Sequence, residues 1–190
     1  MRILLLGNSL TTANGMPRML AGITGAEVVC HARGGARLAE HRKESTRLGA
    51  KTQKALREES WDYVVLQEMS HGPFTEVQRF FSSVEHLCSQ IQQHGAVPVL
   101  YATWAYEKGG SKLTDKGWDY EDMARAMSAA YSKAARDNGA LLAPVGQRFY
   151  QLSQKEQLYA ADGVHPNEQG SRLAAETIGR VILEHKESVK

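Results

Sequence analysis

Apolar residues recur along the chain in short runs: Arg2–Leu6, Ala26–His31, Asp62–Leu66, Ala96–Ala102 and Ala140–Pro144. Val64-Val65-Leu66 and Val97-Pro98-Val99-Leu100 show no alternation, as expected of strands covered on both faces. Between the runs the apolar spacing changes to that of a helix. Helices are predicted over Met16–Thr24, Leu38–Glu58, Glu76–His94, Tyr120–Asn138 and Glu168–His185. The second is long and charged. The third carries Val77, Phe80, Phe81, Val84, Leu87, Cys88 and Ile91 on one face and ends at Gly95, a C-cap signal that Gly139 repeats for the fourth. Strand alternating with helix predicts a parallel sheet with helices on both faces. One long irregular stretch, Thr103 to Asp119, interrupts the pattern, and a connection of that length is usually functional or mobile.

The length of 190 residues and 42% hydrophobic content predict a single domain over residues 1–190. A net charge of +2 gives no reason to expect a nucleic-acid partner. The basic cluster between Arg33 and Lys54 includes Glu40 and Glu44 at helical spacing, so it reads as a solvated face. Cys30 and Cys88 form neither a disulfide framework nor a zinc site, and free buried thiols are expected. The apolar start at Met1–Gly7 is too short for a signal peptide and reads as a buried first strand. No run approaches the ~20 apolar residues of a membrane span. The expected location is therefore cytoplasmic, although a secreted protein stripped of its leader would read the same way. No exposed apolar face stands out, so oligomeric state is left open.

In parallel sheets of this kind ligands sit at the carboxyl ends of the strands. Ser9, Gly34-Gly35, Gln67-Glu68 and the start of the long loop all follow strand ends and should share one rim. Ser9 lies in Gly7-Asn8-Ser9-Leu10-Thr11, a strand-to-helix turn. Near the other end, Asp162-Gly163-Val164-His165-Pro166-Asn167 places a carboxylate and an imidazole on a short loop. A serine hydroxyl needs a base to remove its proton during attack, and that base needs a carboxylate to fix its tautomer. Ser9, His165 and Asp162 supply those groups. Each end has a plainer reading. Asp162–Asn167 can be a turn and helix cap, and Gly7–Thr12 can be an ST-turn or a phosphate-cradling loop. The second possibility makes the protein a non-catalytic, phosphate- or nucleotide-binding module, although neither GxxxxGK[ST] nor GxGxxG is present. Oxyanion donors would come from the backbone of Ser9, from Gly34 or Gly35, and from the amide of Gln67. His71 can touch substrate or be a bland loop histidine. Trp104, Tyr106 and Trp118 can form an aromatic wall or simply pack. His31, His41, His86, His94 and His185 lack metal-ligand spacing, so no catalytic metal is expected.

At these residues the chain resembles the SGNH (GDSL-type) hydrolases, a family of esterases, lipases, thioesterases and carbohydrate deacetylases. Gly7–Thr11 matches the first family block, with Asn8 where aspartate is common, Gly35 matches the second, and Asp162–Pro166 closely matches the last. The usual G-x-N-D is absent, and Val65-Leu66-Gln67-Glu68-Met69-Ser70 stands in its place. This resembles branches in which glutamine replaces the oxyanion asparagine, among them some acetylesterases acting on sugars. The resemblance implies a three-layer α/β/α flavodoxin-like fold with a five-stranded parallel sheet and no cofactor. It also implies a Ser9 nucleophile, a His165 base oriented by Asp162, oxyanion donors at Ser9, Gly35 and Gln67, and a small-molecule or carbohydrate ester as substrate. His71 and Trp104 are the candidates for contact with that substrate.

Overall fold

The computed structural model describes residues 1–189. Its strands are β1 (Arg2–Gly7), β2 (Glu27–Ala32), β3 (Tyr63–Leu66), β4 (Val97–Tyr101) and β5 (Leu141–Ala143). The helices are α1 (Ser9–Thr12), α2 (Met16–Thr24), α3 (Leu38–His41), α4 (Arg47–Glu58), α5 (Gly72–Thr75), α6 (Val77–Gln93), α7 (Ser111–Thr114), α8 (Tyr120–Asp137), α9 (Val145–Leu152) and α10 (Glu168–Ser188). All strand pairs are parallel, in the order β2-β1-β3-β4-β5. The expected α/β fold with a five-stranded parallel sheet between helical layers is therefore what forms.

Strand residues alternate between two cores, because successive side chains leave opposite faces. Leu4, Leu6, Val64, Leu66 and Leu100 face one side, where they join residues of α4, α6 and α8. Ile3, Leu5, Val65, Val99 and Tyr101 face the other, with residues of α2 and α10. Covering both faces explains why the runs lacked polar alternation. Among the described residues no helix is long and apolar enough to cross a membrane.

The predicted Leu38–Glu58 helix is in fact two helices, α3 and α4, separated by a turn. Thr46 caps α4 by accepting a hydrogen bond from the Gly49 N–H at 3.0 Å. A Cβ on Gly49 would lie 2.0 Å from the Lys43 carbonyl oxygen. The chain thus folds back onto the start of α4 at a point only glycine permits, a tertiary approach that helical periodicity does not register. Helix α9 was not anticipated. It is short, buries Val145 and Phe149, and carries the aromatic packing that supports the base loop described below.

Candidate active site

Strand β1 is flanked by β2 and β3, so the turn after it opens on the carboxyl rim inside the edge of the sheet. Asn8 is extended (φ −140°) and caps α1, its Oδ1 accepting from the Leu10 N–H at 3.0 Å. Its Nδ2 donates to the Ala36 carbonyl at 2.9 Å, which ties this turn to the loop after β2. The N–H groups of Thr11 and Thr12 both bond the Asn8 carbonyl. The Asn8 N–H itself goes to Gln67 Oε1 at 2.9 Å. Among the described residues, only the Ser9 N–H of this turn has no acceptor, as befits a first-turn helical donor.

The Ser9 hydroxyl, half-buried, lies 2.9 Å from His165 Nε2. On the other side of the ring, His165 Nδ1 is 2.5 Å from Asp162 Oδ2. The remaining Asp162 oxygen accepts from the N–H groups of Val164 and His165, at 3.0 and 2.9 Å. Partial burial works against the charge on Asp162. The bonds from the His165 ring and the two backbone donors outweigh it and hold the carboxyl below its ordinary value. An ionised Asp162 makes Nδ1 the protonated ring nitrogen, leaving Nε2 free to accept from the serine. The expected Ser9–His165–Asp162 grouping is thus assembled from opposite ends of the chain.

The base loop is held from several directions. Asn167 caps α10 by accepting from the Gly170 N–H, and its own N–H bonds Leu158. The Glu107 N–H donates to the Gly163 carbonyl at 2.8 Å. Trp104 Nε1 donates to the Val164 carbonyl at 3.0 Å. Trp104 is a candidate either for substrate contact or for packing, and its surroundings are those of a packing residue. Its side chain is 3% exposed and stacked on Phe149 with ring centroids 3.9 Å apart. A buried indole needs an acceptor for its N–H, and the backbone beside His165 supplies it.

Gly35 is exposed, has φ +68°, and its N–H has no acceptor among the described residues. Gly34 lacks the positive φ. The Gln67 amide is oriented by its oxygen, which accepts from the Asn8 N–H and from Thr11 Oγ1, each at 2.9 Å. Its nitrogen faces the Glu68 carbonyl, which occupies one of its two N–H groups. His71 is half-buried at the rim, 2.9 Å from Thr75 Oγ1, and its ring meets those of Tyr106 and Trp118. Burial first, then the positive charges of Arg37 and Lys116, lower its pKa.

A second imidazole approaches the serine turn from below. His41 is 0% exposed, and its Nε2 lies 3.3 Å from the Gly7 carbonyl, which only a protonated nitrogen can serve. Its Nδ1 then accepts from Thr52 Oγ1 at 3.0 Å, and Thr52 lies 3.4 Å from Nδ1 of buried His31. Burial lowers both rings from the ordinary 6.5 to about 4. In the sequence His41 stands out only by its lack of metal-ligand spacing, and no pattern marks its bond to Gly7. Among the described residues no cluster of His, Cys, Asp or Glu is placed to hold a metal ion. The thiols of Cys30 and Cys88 are free, and burial pushes them up to about 11 and about 12.

A parallel three-layer α/β/α sheet with a serine–imidazole–carboxylate chain on its carboxyl rim defines a class of hydrolases. Within it, the chain belongs to the GDSL-like lipase/acylhydrolase family, whose model matches residues 5–173. A protein from Slackia heliotrinireducens, provisionally named an SGNH hydrolase, is 54% identical, with a TM-score of 0.93 covering 96% of this chain and 98% of the other. An acetyl xylan esterase, AlAXEase, shares the fold at 18% identity and TM-score 0.73, over 96% of this chain and 100% of that one. A catalytic mutant of Axe2, an acetylxylan esterase from Geobacillus stearothermophilus, does so at 14% and 0.68, over 95% and 93%. No curated protein matches the chain in sequence. Family membership makes the protein a hydrolase of the kind that acts on esters.

Proposed function

We propose that the protein is a serine esterase or deacylase that hydrolyses a carboxylic ester through an acyl-Ser9 intermediate. The observation that carries this reading is the hydrogen-bonded chain from Ser9 Oγ through the His165 ring to Asp162. In the first half-reaction, Ser9 Oγ attacks the ester carbonyl carbon while its proton passes to His165 Nε2. The tetrahedral intermediate collapses, the ester C–O bond breaks, and His165 returns the proton to the leaving alcohol. In the second, His165 takes a proton from water, whose oxygen attacks the acyl carbon, and the acid leaves as Ser9 regains its hydrogen. Asp162 holds the ring in its productive tautomer and stabilises the imidazolium.

The developing oxyanion would take the N–H groups of Ser9 and Gly35, both without acceptors among the described residues, and the second N–H of Gln67. Each such donor contributes about 10²–10³ in rate. The proposed substrate is an O-acetyl or short acyl ester of a carbohydrate or small molecule, in keeping with the acetyl xylan esterases that share the fold. His71 and its aromatic neighbours are the side chains proposed to meet it.

The phosphate-cradle alternative is disfavoured by the bonding of the turn. The N–H groups of Asn8, Leu10, Thr11 and Thr12 are all taken internally, which leaves too few donors for an anion nest. A fluorophosphonate probe followed by mass spectrometry tests the esterase reading. Labelling on Ser9 in wild type, absent from Ser9→Ala, is the expected result. A folded wild type that neither labels nor hydrolyses p-nitrophenyl acetate, yet gains thermal stability with FMN or a nucleotide, would restore the binding module.

A further inference from the structure

The nucleophile and base loops come from opposite ends of the chain, so something must set the distance between them. Apart from the Ser9–His165 bond itself, the hydrogen bonds joining residues 8–15 to residues 157–173 among those described all come from Asn14. Its Nδ2 donates to the carbonyl of Pro166, next to His165, at 2.9 Å. The same nitrogen donates to Oγ of Ser171, a buried residue of α10, at 2.8 Å. Asn14 lies just past α1, the four-residue turn that carries Ser9. It is also the one non-glycine residue among those described with positive φ, at +52°. That conformation carries a steric cost that asparagine tolerates better than most residues. Here it aims the amide at the base loop. The bonds of Trp104 and Glu107 hold the same loop against the segment after β4, not against the serine turn.

We propose that Asn14 is a positioning residue: its amide fixes the base loop at the separation where His165 Nε2 meets Ser9 Oγ. This rests on the esterase reading above. A misplacement of about 1 Å in such a pair is expected to cost up to about 10²-fold in rate.

Asn14→Gly removes the amide and relieves the backbone cost. Asn14→Asp keeps the left-handed preference but sets an acceptor against the Pro166 carbonyl. For both variants kcat should fall about 10- to 100-fold while KM changes less than about twofold, the pattern of lost transition-state geometry. The fluorophosphonate rate should fall in parallel, and the end-point fraction labelled should stay at the wild-type value. Ser171→Ala keeps the Pro166 bond and should lose less than about threefold on the same scale. The ¹⁵N shift of His165 Nε2 should move toward that of an unbonded nitrogen in Asn14→Gly.

Wild-type turnover in both Asn14 variants would overturn the proposal. So would an end-point fraction that falls with the rate, since the asparagine would then only maintain folding. If wild type shows neither labelling nor turnover, the esterase reading fails. The Nε2 shift still decides the tether in that case: an unchanged shift in Asn14→Gly sinks it.

Discussion

Two imidazoles approach the serine turn, and their surroundings differ in kind. His41 lies beneath it in the core, its ring bonded to a backbone carbonyl and a threonine hydroxyl and to no carboxylate. His165 stands at the rim, with a side chain 41% exposed and Asp162 against its far nitrogen. At His41 burial outweighs the nearby Glu40 charge, which holds the ring neutral and makes it a strut. A carboxylate partner beside solvent equips a ring to take up a proton and give it back. Sequence composition treats the two alike; their neighbours assign the work.

The sharpest way to break this contrast is to remove each ring in turn. His165→Ala should lower turnover of p-nitrophenyl acetate by about 10⁴-fold or more, and Asp162→Asn by about 10⁴-fold through the wrong tautomer. Unfolding in urea should show His165→Ala within about 1 kcal/mol of wild type, since its contacts are exposed. A His165→Ala protein that kept its activity would remove the imidazole from the chemistry.

Gln67→Ala is expected to lie between the two rings in character. It deletes a proposed oxyanion donor, worth about 10² in rate. It also strands the Asn8 N–H and the Thr11 hydroxyl, at about 1–3 kcal/mol of stability. A stability loss with an undiminished rate would make Gln67 a strut like His41.

His41→Ala should do the reverse of His165→Ala. It leaves the Gly7 carbonyl unserved and opens a cavity, for a loss of about 2–4 kcal/mol. Turnover per folded molecule should change less than about tenfold, so a larger loss would mean that His41 shapes the nucleophile directly. The pH dependence of stability sharpens the same point. His41 and His31 have folded values depressed from 6.5 to about 4, so the unfolded chain binds more protons in that window. The stabilisation is complete above about 6.5 and is lost as pH falls toward about 4, with a slope of up to about 1.4 kcal/mol per pH unit for each ring. Denaturant midpoints measured from pH 7 to pH 4 should show this fall, and His41→Ala should flatten it. A wild-type profile flat over that range would contradict the buried neutral pair.

Much of the fold was legible because its signals are local. Helix α2 runs over the predicted Met16–Thr24, and each strand lies within a residue or two of its apolar run. The Asp162–His165 pairing was readable because three residues and a turn suffice to bring them together. The break between α3 and α4 was not, because it depends on where Gly49 meets the Lys43 carbonyl. The choice between substrate wall and packing for Trp104 stayed open for a related reason: nothing beside it in sequence reveals that Phe149 will cover its ring.

By itself the sequence determined the five strands, the main helices between them and the chemistry available at each end of the chain, since hydrophobic period and short turns act over a few residues. The tertiary structure alone decided that Ser9 and His165, 156 positions apart, would stand within a hydrogen bond of each other. It also decided which way the Gln67 amide points and where Asn14 reaches. Those outcomes depend on β1 taking an interior place in the sheet and on α10 packing against α2, which are long-range choices that no local pattern encodes.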